Sequence, residues 1–277
     1  MSMKVRMITP KTMEKFQYLI APDVYDEMEA GVPVIAIGLA DDKKPIGAIA
    51  GMMENEHVFS VTSLYVSPDH RRQGGATMLT AALERLLDTR DALACISYLE
   101  EDTEDSRALT AFVESRECVL EKGLERLYRG SVGSFVNSGL FSKGYKSKDI
   151  HSLAETDRKV IATISTRKRK LFSELEVKAL KSFKNDKYMS FAAAKQDDVQ
   201  GVLLSGYTQE YPYEPVVILS GNQSPHVTGG LLSTFINLCK NKLGESIYLR
   251  FPVADDRFDR MMGHIDGVKN IQHNYLF

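Results

Sequence analysis

The stretch that decides the fold is VSPDHRRQGGATMLTAALERLL, residues 66–87. It ends an apolar, β-branched segment, passes two arginines and two adjacent glycines, and continues with apolar residues at helical spacing. The first N–H groups of a helix have no partner within the helix and carry a partial positive charge. Small residues at such a turn let an anion reach the backbone. The stretch therefore predicts a strand-turn-helix unit that holds a pyrophosphate.

Patterns on both sides of this stretch predict an α/β fold (α+β) with a mixed sheet. A first strand and a helix are expected over 5–30, followed by three antiparallel strands at 32–40, 46–53 and 57–66 joined by short polar turns. The near-continuous apolar run at 92–100 is typical of a strand buried on both faces. A short helix within 106–115 and a closing pair of strands within 118–130 complete this half.

The second half of the chain repeats this order in outline. Beyond a segment rich in Ser, Gly and Lys come a helical pattern at 149–164, three strand patterns, a helix after the glycine pair 229–230, and a buried strand. An offset of 153 residues, the difference between positions 229 and 76, also places Val66 on Leu219. We therefore interpret the chain as two diverged copies of one fold. The predicted limits are 1–130 for the first domain, 131–147 for the linker and 148–277 for the second domain.

The composition is that of an ordinary globular protein. Lys and Arg number 35 against 37 Asp and Glu, so no overall field favours nucleic acid or an anionic membrane as a partner. The start of the chain lacks an apolar signal region, and no apolar run is long enough to span a membrane. We expect a cytoplasmic protein with neither of these partners. Its oligomeric state stays open, with a homodimer among the options.

Neither the cysteines nor the histidines are spaced as a metal or disulfide site. The cysteines at 95, 118 and 239 are odd in number and lack CxxC spacing, which indicates reduced thiols, and the six histidines are scattered. We expect no metal. The basic run RKRK at 167–170 is interpreted as a solvated helix face rather than a docking patch.

The turn matches the pattern [RQ]-x-x-G-x-[GA] at Arg71, Gly74 and Ala76, preceded by LYVSPDHRRQ. In these residues the chain resembles the GNAT superfamily of acyl-CoA N-acyltransferases. The resemblance carries a specific motif in residues 1–130 and extends only in outline beyond about 150. It implies that the fourth and fifth strands splay apart and that the pantetheine arm of acetyl-CoA enters between them. The contacts that it implies for acetyl-CoA are Leu64, Tyr65, Val66, Arg71, Arg72, Gln73, Gly74, Gly75, Ala76 and Thr77.

The second copy departs from this motif. The same offset places Ser224 on Arg71 and Val227 on Gly74, which leaves only the glycine pair 229–230 at the expected helix start. Loss of the arginine removes charge-assisted hydrogen bonds, and a branched side chain obstructs a phosphate. We expect no acetyl-CoA there, and a structural or acceptor-shaping role for this domain.

Acyl transfer to an amine requires a neutral amine, a stabilised oxyanion and a proton for the leaving thiolate. A lysine-like amine is neutral only about once in 2,500 at pH 7, a handicap of about 4.6 kcal/mol. The candidate bases are carboxylates and a histidine in two turns, which would form an acidic lip suited to an amine. They are Glu54, Glu56 and His57 before the fourth strand, and Glu100, Glu101 and Asp102 after the fifth. The resemblance implies that the N–H of Val66 polarises the thioester carbonyl.

The proton donor is less clear from the sequence. Many members of the family carry a tyrosine in the helix after the fifth strand, where this chain has Phe112. Tyr98 on the fifth strand is the alternative candidate. Two functions therefore stay open. One is an N-acetyltransferase that moves an acetyl group directly from acetyl-CoA to a small-molecule or peptide amine; the other is a non-catalytic acyl-CoA-binding or interaction protein. The complete arginine-glycine turn favours the enzyme.

Overall fold

The computed structural model describes residues 3–116, 119–120, 126–140, 149–156, 158–172, 183–195, 198–209, 211–220, 224–253 and 256–277, with the backbone alone at 119–120 and 167–170. The chain divides into two compact units. The first consists of Met1–Lys122 together with His273–Phe277, and the second of Gly123–Gln272. Among the described residues no helix is both long and apolar enough to cross a membrane.

The first unit is built on a seven-stranded mixed sheet. Its strands are β1 (Met3–Met7), β2 (Ile35–Asp41), β3 (Lys44–Met53), β4 (Val58–Val66), β5 (Leu93–Leu99), β6 (Val119–Leu120) and, from the end of the chain, β15 (Gln272–Leu276). They lie in the order β1-β2-β3-β4-β5-β15-β6. Its helices are α1 (Pro22–Glu29), α2 (Gly75–Asp88) and α3 (Glu104–Glu114), with short 3-10 helices at Met13–Leu19 and Pro68–His70.

Helix α2 connects β4 to β5 and covers the middle of this sheet. Its buried leucines recur at helical spacing, at 79, 83 and 87, and pack in one apolar cluster with side chains of β2, β4 and β5. Each fully buried leucine contributes about 2 kcal/mol of hydrophobic stabilisation. This packing fixes the N-terminus of α2 against the end of β4.

The second unit is built on an eight-stranded mixed sheet. Its strands are β7 (Arg126–Ser131), β8 (Ile150–Ser152), β9 (Lys184–Asn185), β10 (Phe191–Lys195), β11 (Asp198–Tyr207), β12 (Val216–Leu219), β13 (Tyr248–Val253) and β14 (Val268–Asn270). The order is β14-β7-β13-β12-β11-β10-β8, and β9 pairs with β11. Its described helices are α4 (Val132–Asn137), α5 (Arg158–Leu171), α6 (Pro225–Lys242) and α7 (Asp256–Met262).

Strand pairing shows that the two units share one topology. In the first, β2, β3 and β4 are antiparallel neighbours and β5 lies parallel to β4 after the α2 crossover. In the second, β10, β11 and β12 are antiparallel neighbours and β13 lies parallel to β12 after α6. Strands β4 and β12 end at Val66 and Leu219, the positions that the sequence offset matched. The predicted α/β fold with a mixed sheet and a diverged second copy is confirmed.

The closing pair of strands predicted within 118–130 does not form. Strand β7 joins the second sheet beside β13, and β6 pairs instead with β15. Ala94 and Phe277 exchange two backbone hydrogen bonds, of 2.9 and 3.0 Å, so β15 lies between β5 and β6. The last residues of the chain therefore complete the first sheet. Pairing depends on which strand edge is available in space, and a local sequence pattern does not report that.

The observed units accordingly differ from the predicted limits 1–130, 131–147 and 148–277. The division falls at Lys122, and the C-terminal residues return to the first unit. The segment expected to begin the linker forms the end of β7 and helix α4, and residues 141–148 lie outside the described part of the chain. Strand β5 is covered on one face only, because Leu93 is 53% exposed while Ala94 and Ile96 are buried.

Candidate functional site

Strands β4 and β5 run side by side over only part of their length. They pair from Val58 and Leu93 as far as Val61 and Ile96, although both strands continue beyond these positions. A β-bulge lies at the same level, because the register between β3 and β4 skips Thr62. The C-terminal halves of the two strands therefore leave a gap between them.

Two peptide N–H groups of β4 face this gap. The N–H of Ser67 donates to Ile46 O at 2.8 Å, towards β3 and away from the gap. Since N–H directions alternate along a strand, the N–H groups of Leu64 and Val66 point to the opposite side, where β5 has ceased to pair. The carbonyl of Val66 faces the same side and accepts a hydrogen bond from Arg71 Nε at 3.0 Å.

The turn before α2 presents open backbone at the end of the gap. Gly74 is the N-cap with φ of 83°, a left-handed conformation that favours glycine, and no side chain caps the helix. A Cβ at Gly74 would meet no atom within 4 Å, so the space in front of the helix is open. The first N–H groups of α2, which begin at Gly75, are therefore accessible to an anion.

The two glycines have different roles in the structure. Gly75 is buried, and a Cβ there would lie 2.9 Å from Leu39 Cδ2 and 3.4 Å from Val66 Cγ1. Its small size lets α2 approach the sheet closely. Gly74 supplies the left-handed turn and the open space, whereas the sequence analysis gave both glycines the single role of exposing backbone.

The two arginines of the turn also differ. The side chain of Arg71 is only 26% exposed, and besides Val66 O it contacts Asp105 at 2.7 Å and lies over the Tyr65 ring. It therefore joins the end of β4 to the start of α3. Arg72 is exposed and is itself in a left-handed conformation, with φ of 60°. Arg72 is thus the more accessible cation for an anion at this turn.

These elements surround a cavity of about 570 Å³, which we call the helix-mouth cavity. It is lined by the end of β4, the turn, the start of α2, the end of β5 and α3. Every predicted acetyl-CoA contact lines it except Gln73, whose side chain instead donates to Asp69 O at 3.2 Å. Phe112 also lines it, so an aromatic ring without a hydroxyl occupies that part of the wall.

A second cavity, of about 430 Å³, lies beside the same gap; we call it the loop cavity. The residues that line it are Tyr18, Leu19, Ile20, Ala21, Val61, Thr62, Ser63, Leu64, Tyr65, Ile96, Ser97, Tyr98 and Leu109. Leu64, Tyr65, Tyr98 and Leu109 line both cavities. The two cavities therefore meet between β4 and β5, at the level of Leu64 and Tyr98.

Tyr98 stands at this junction. Burial raises the pKa of its hydroxyl, which has no hydrogen-bond partner among the described residues. The protonated form is thereby favoured, which suits a proton donor. Its ring packs against His273 and Tyr275 of β15, with ring centroids 5.5 and 6.2 Å away. The sequence analysis missed both of these neighbours, because only the unforeseen pairing of β15 brings them here.

The predicted catalytic carboxylates do not lie together. Glu54 and Glu56, with His57, are in the turn before β4, at the end of this strand remote from the gap, and they line neither cavity. The nine residues of β4 span about 30 Å, which explains the separation. Glu101 lines the helix-mouth cavity, whereas Glu100 contacts His273 Nε2 at 2.9 Å. Asp102 pairs with Arg107.

The corresponding helix of the second unit has a different N-terminus. Ser224 caps α6, its hydroxyl accepting a hydrogen bond from the Val227 N–H at 3.3 Å, and Pro225 at the first helical position has no N–H. Gly229 and Gly230, predicted at the start of the helix, lie inside it instead. A serine cap followed by proline is the stronger signal for a helix start.

The geometry of the first unit is that of a mixed α/β domain with a strand gap leading to an open, uncapped helix N-terminus. Residues 7–115 match the family model described as Acetyltransferase (GNAT) family. This match covers most of the first unit and agrees with the resemblance that the sequence analysis based on Arg71, Gly74 and Ala76. No curated protein matches the chain in sequence.

Several solved structures are similar to the chain. A tandem GNAT protein from the clavulanic acid biosynthesis pathway is 12% identical, with 99% of this chain and 97% of that one covered and a TM-score of 0.48. A GCN5-related N-acetyltransferase from Anabaena variabilis is 10% identical, with coverages of 99% and 72% and a TM-score of 0.44. The ribosomal-protein-S18-alanine N-acetyltransferase from Escherichia coli is 15% identical, with coverages of 45% and 81% and a TM-score of 0.38.

Proposed function

We propose that the chain is an N-acetyltransferase that moves an acetyl group from acetyl-CoA directly to a primary amine. The observation that carries this proposal is the continuous path from the open N-terminus of α2, along the gap between β4 and β5, to the junction of the two cavities. A thioester carrier with a diphosphate at one end needs a site of this shape.

The residues present suit acetyl-CoA as a substrate. The diphosphate would be held by the first N–H groups of α2 and by the exposed Arg72, with Gly74 leaving the approach open. The amide groups of the pantetheine arm would pair with the peptide groups of β4 that face the gap. The side chain of Arg71 positions the turn, through its bonds to Val66 O and Asp105.

The thioester would lie at the junction of the cavities. Leu64 lines both cavities and Val66 only the helix-mouth cavity, so we assign stabilisation of the oxyanion to the N–H of Leu64 in place of that of Val66. The amine nitrogen forms the new bond to the acetyl carbon, the carbon–sulfur bond breaks, and the thiolate takes a proton from Tyr98. The proton lost by the amine passes to water, and water then reprotonates Tyr98.

A non-catalytic acyl-CoA binder is the second candidate. Phe112, which cannot donate a proton, and the distance of Glu54 and Glu56 from the gap favour it. Release of thiol from acetyl-CoA across a panel of amines separates the two functions. We expect turnover with at least one amine and its loss in Gly74→Val, with Arg71→Ala as a second control. Tight binding of coenzyme A without thiol release from any acceptor would refute the transferase.

A further inference from the structure

We propose that the acceptor is a primary monoamine with an uncharged, apolar body, and that it binds in the loop cavity as the free base. This inference rests on the proposed transferase function and specifies its substrate class. It follows from what the walls of the loop cavity contain and from where the carboxylates of the first unit lie.

The loop cavity has apolar and hydroxyl-bearing walls. None of the thirteen side chains that line it, all within the described part of the first unit, carries a formal charge. Two of its hydroxyls are already engaged in the protein. Ser63 Oγ accepts from the Ala21 N–H at 3.1 Å, and Thr62 Oγ1 donates to Ala50 O at 3.3 Å.

A cavity of this kind discriminates against ammonium groups. An ammonium that leaves water without meeting a carboxylate loses its hydration uncompensated, so burial lowers the pKa of the amine and favours its neutral form. A polyamine or an aminoglycoside carries further ammonium groups, and each of them would also lose its hydration without meeting a carboxylate. A monoamine with an apolar body would lose only the one proton and would gain from burial of its body.

The same walls account for the lack of a candidate general base at the junction among the described residues. The candidates Glu54, Glu56 and His57 lie at the other end of β4, and Glu101 lines the helix-mouth cavity but not the loop cavity. An amine that enters already neutral needs no protein group to remove its proton before attack. The cavity thus selects the neutral amine, and proton transfer to a protein base is not required before attack.

Tyr18 is the residue of the loop cavity best placed to contact the body of the acceptor. Its ring is 70% exposed at the edge of the cavity, whereas its neighbours Leu19 and Ile20 are buried. An exposed aromatic ring beside an apolar cavity gains contact area when an aromatic or alkyl group covers it. Tyr188 of the second unit is equally exposed, at 69%, and offers a matched control.

The test compares benzylamine and phenethylamine with spermidine and an aminoglycoside, both as acceptors in thiol release and as ligands of the coenzyme A-loaded protein in calorimetry. We expect kcat/KM at least tenfold higher for the monoamines. For these, kcat/KM should rise tenfold per pH unit up to the acceptor's own pKa and should shift with the acceptor used. Tyr18→Ala should raise the KM of the monoamines at least fivefold, and Tyr188→Ala should not change it.

The outcomes separate this inference from the function on which it rests. Preference for spermidine or the aminoglycoside, or a pH plateau that stays fixed while the acceptor changes, would overturn the inference and leave the transferase standing. Thiol release from no amine, with monoamines still binding more tightly than polyamines, would refute the transferase and support the selectivity of the cavity. Equal binding of both amine classes would overturn the selectivity.

Discussion

Replacing Gly74 tests whether the open N-terminus of α2 holds the diphosphate. Its φ of 83° costs an L-residue other than Asn or Asp about 1–2 kcal/mol, and a Cβ there would meet no atom within 4 Å. Gly74→Ala should therefore lower the free energy of unfolding by about 1–2 kcal/mol through backbone strain alone. Gly74→Asn should recover most of this loss, because asparagine tolerates the left-handed region.

The affinity of the two variants for coenzyme A should not follow the order of their stabilities. Both variants place side-chain atoms in the open space before α2, where the diphosphate would approach its N–H groups. Loss of one hydrogen bond to a charged oxygen costs about 1.5–3 kcal/mol, which is roughly a 10- to 150-fold rise in Kd. Gly74→Asn should thus be nearly as stable as the wild type and yet bind coenzyme A much more weakly.

The measurements are urea denaturation for stability and calorimetry for Kd. Gly31→Ala is the matched control, because Gly31 has φ of 79°, also meets no atom within 4 Å, and lies in the same unit away from both cavities. It should show the same strain and an unchanged Kd. A Gly74→Asn variant with wild-type affinity would refute the assignment of the diphosphate to this turn.

Three further predictions concern titratable groups. Burial raises the pKa of Glu214, but hydrogen bonds from Arg129 and Arg250 outweigh this effect, so its pKa in the folded protein lies below the ordinary value of 4.5. The stability that this carboxylate contributes is therefore lost as the pH falls from about 4.5 through the pKa in the folded protein. Glu214→Gln should cost about 2–4 kcal/mol at pH 7 in urea denaturation, and a cost that does not shrink towards pH 3 would contradict this. Tyr98→Phe should lower kcat at least tenfold with the Kd of coenzyme A unchanged; equal loss of both would indicate a structural role. Burial raises the pKa of the Cys239 thiol to about 12, so peptide mapping after alkylation at pH 8 should find it unmodified in the native protein, and rapid labelling would show that it is accessible.

Local features of the site were predictable from the sequence. The strand ending at Val66, the turn and the helix beginning at Gly75 were read from β-branched residues, glycines and helical spacing, which act over a few residues. The start of α6 was misplaced because the glycine pair 229–230 was weighted above Ser224 and Pro225. A serine cap satisfies backbone N–H groups and proline preorganises the first turn, so together they set the helix start.

Features that depend on distant segments were not predictable. His273 lies beside Tyr98 only because β15 inserts between β5 and β6, and no pattern near either residue records that pairing. The separation of Glu54 from Glu100 has a different origin. Glu54 precedes β4, whereas Glu100 follows β5. Because β4 and β5 are parallel, the two residues lie near opposite ends of the sheet. Polar turns alone do not tell which end of the sheet they occupy.

The two units also show how a helix N-terminus is either completed by its own chain or left for a ligand. At α6 the hydroxyl of Ser224 binds the Val227 N–H, and proline removes another donor. At α2 the cap is Gly74, which has no side chain to offer. A side-chain cap and an anion compete for the same N–H groups, so the helix capped by glycine forfeits roughly a few tenths of a kcal/mol of stabilisation when no anion is bound. An anion that binds these N–H groups restores this stabilisation. Because it binds only the folded state, the free energy of unfolding of the first unit increases with the logarithm of the anion concentration once that concentration exceeds Kd. On the proposed function, the glycine that weakens the empty domain is therefore the residue that would leave these N–H groups available to a diphosphate.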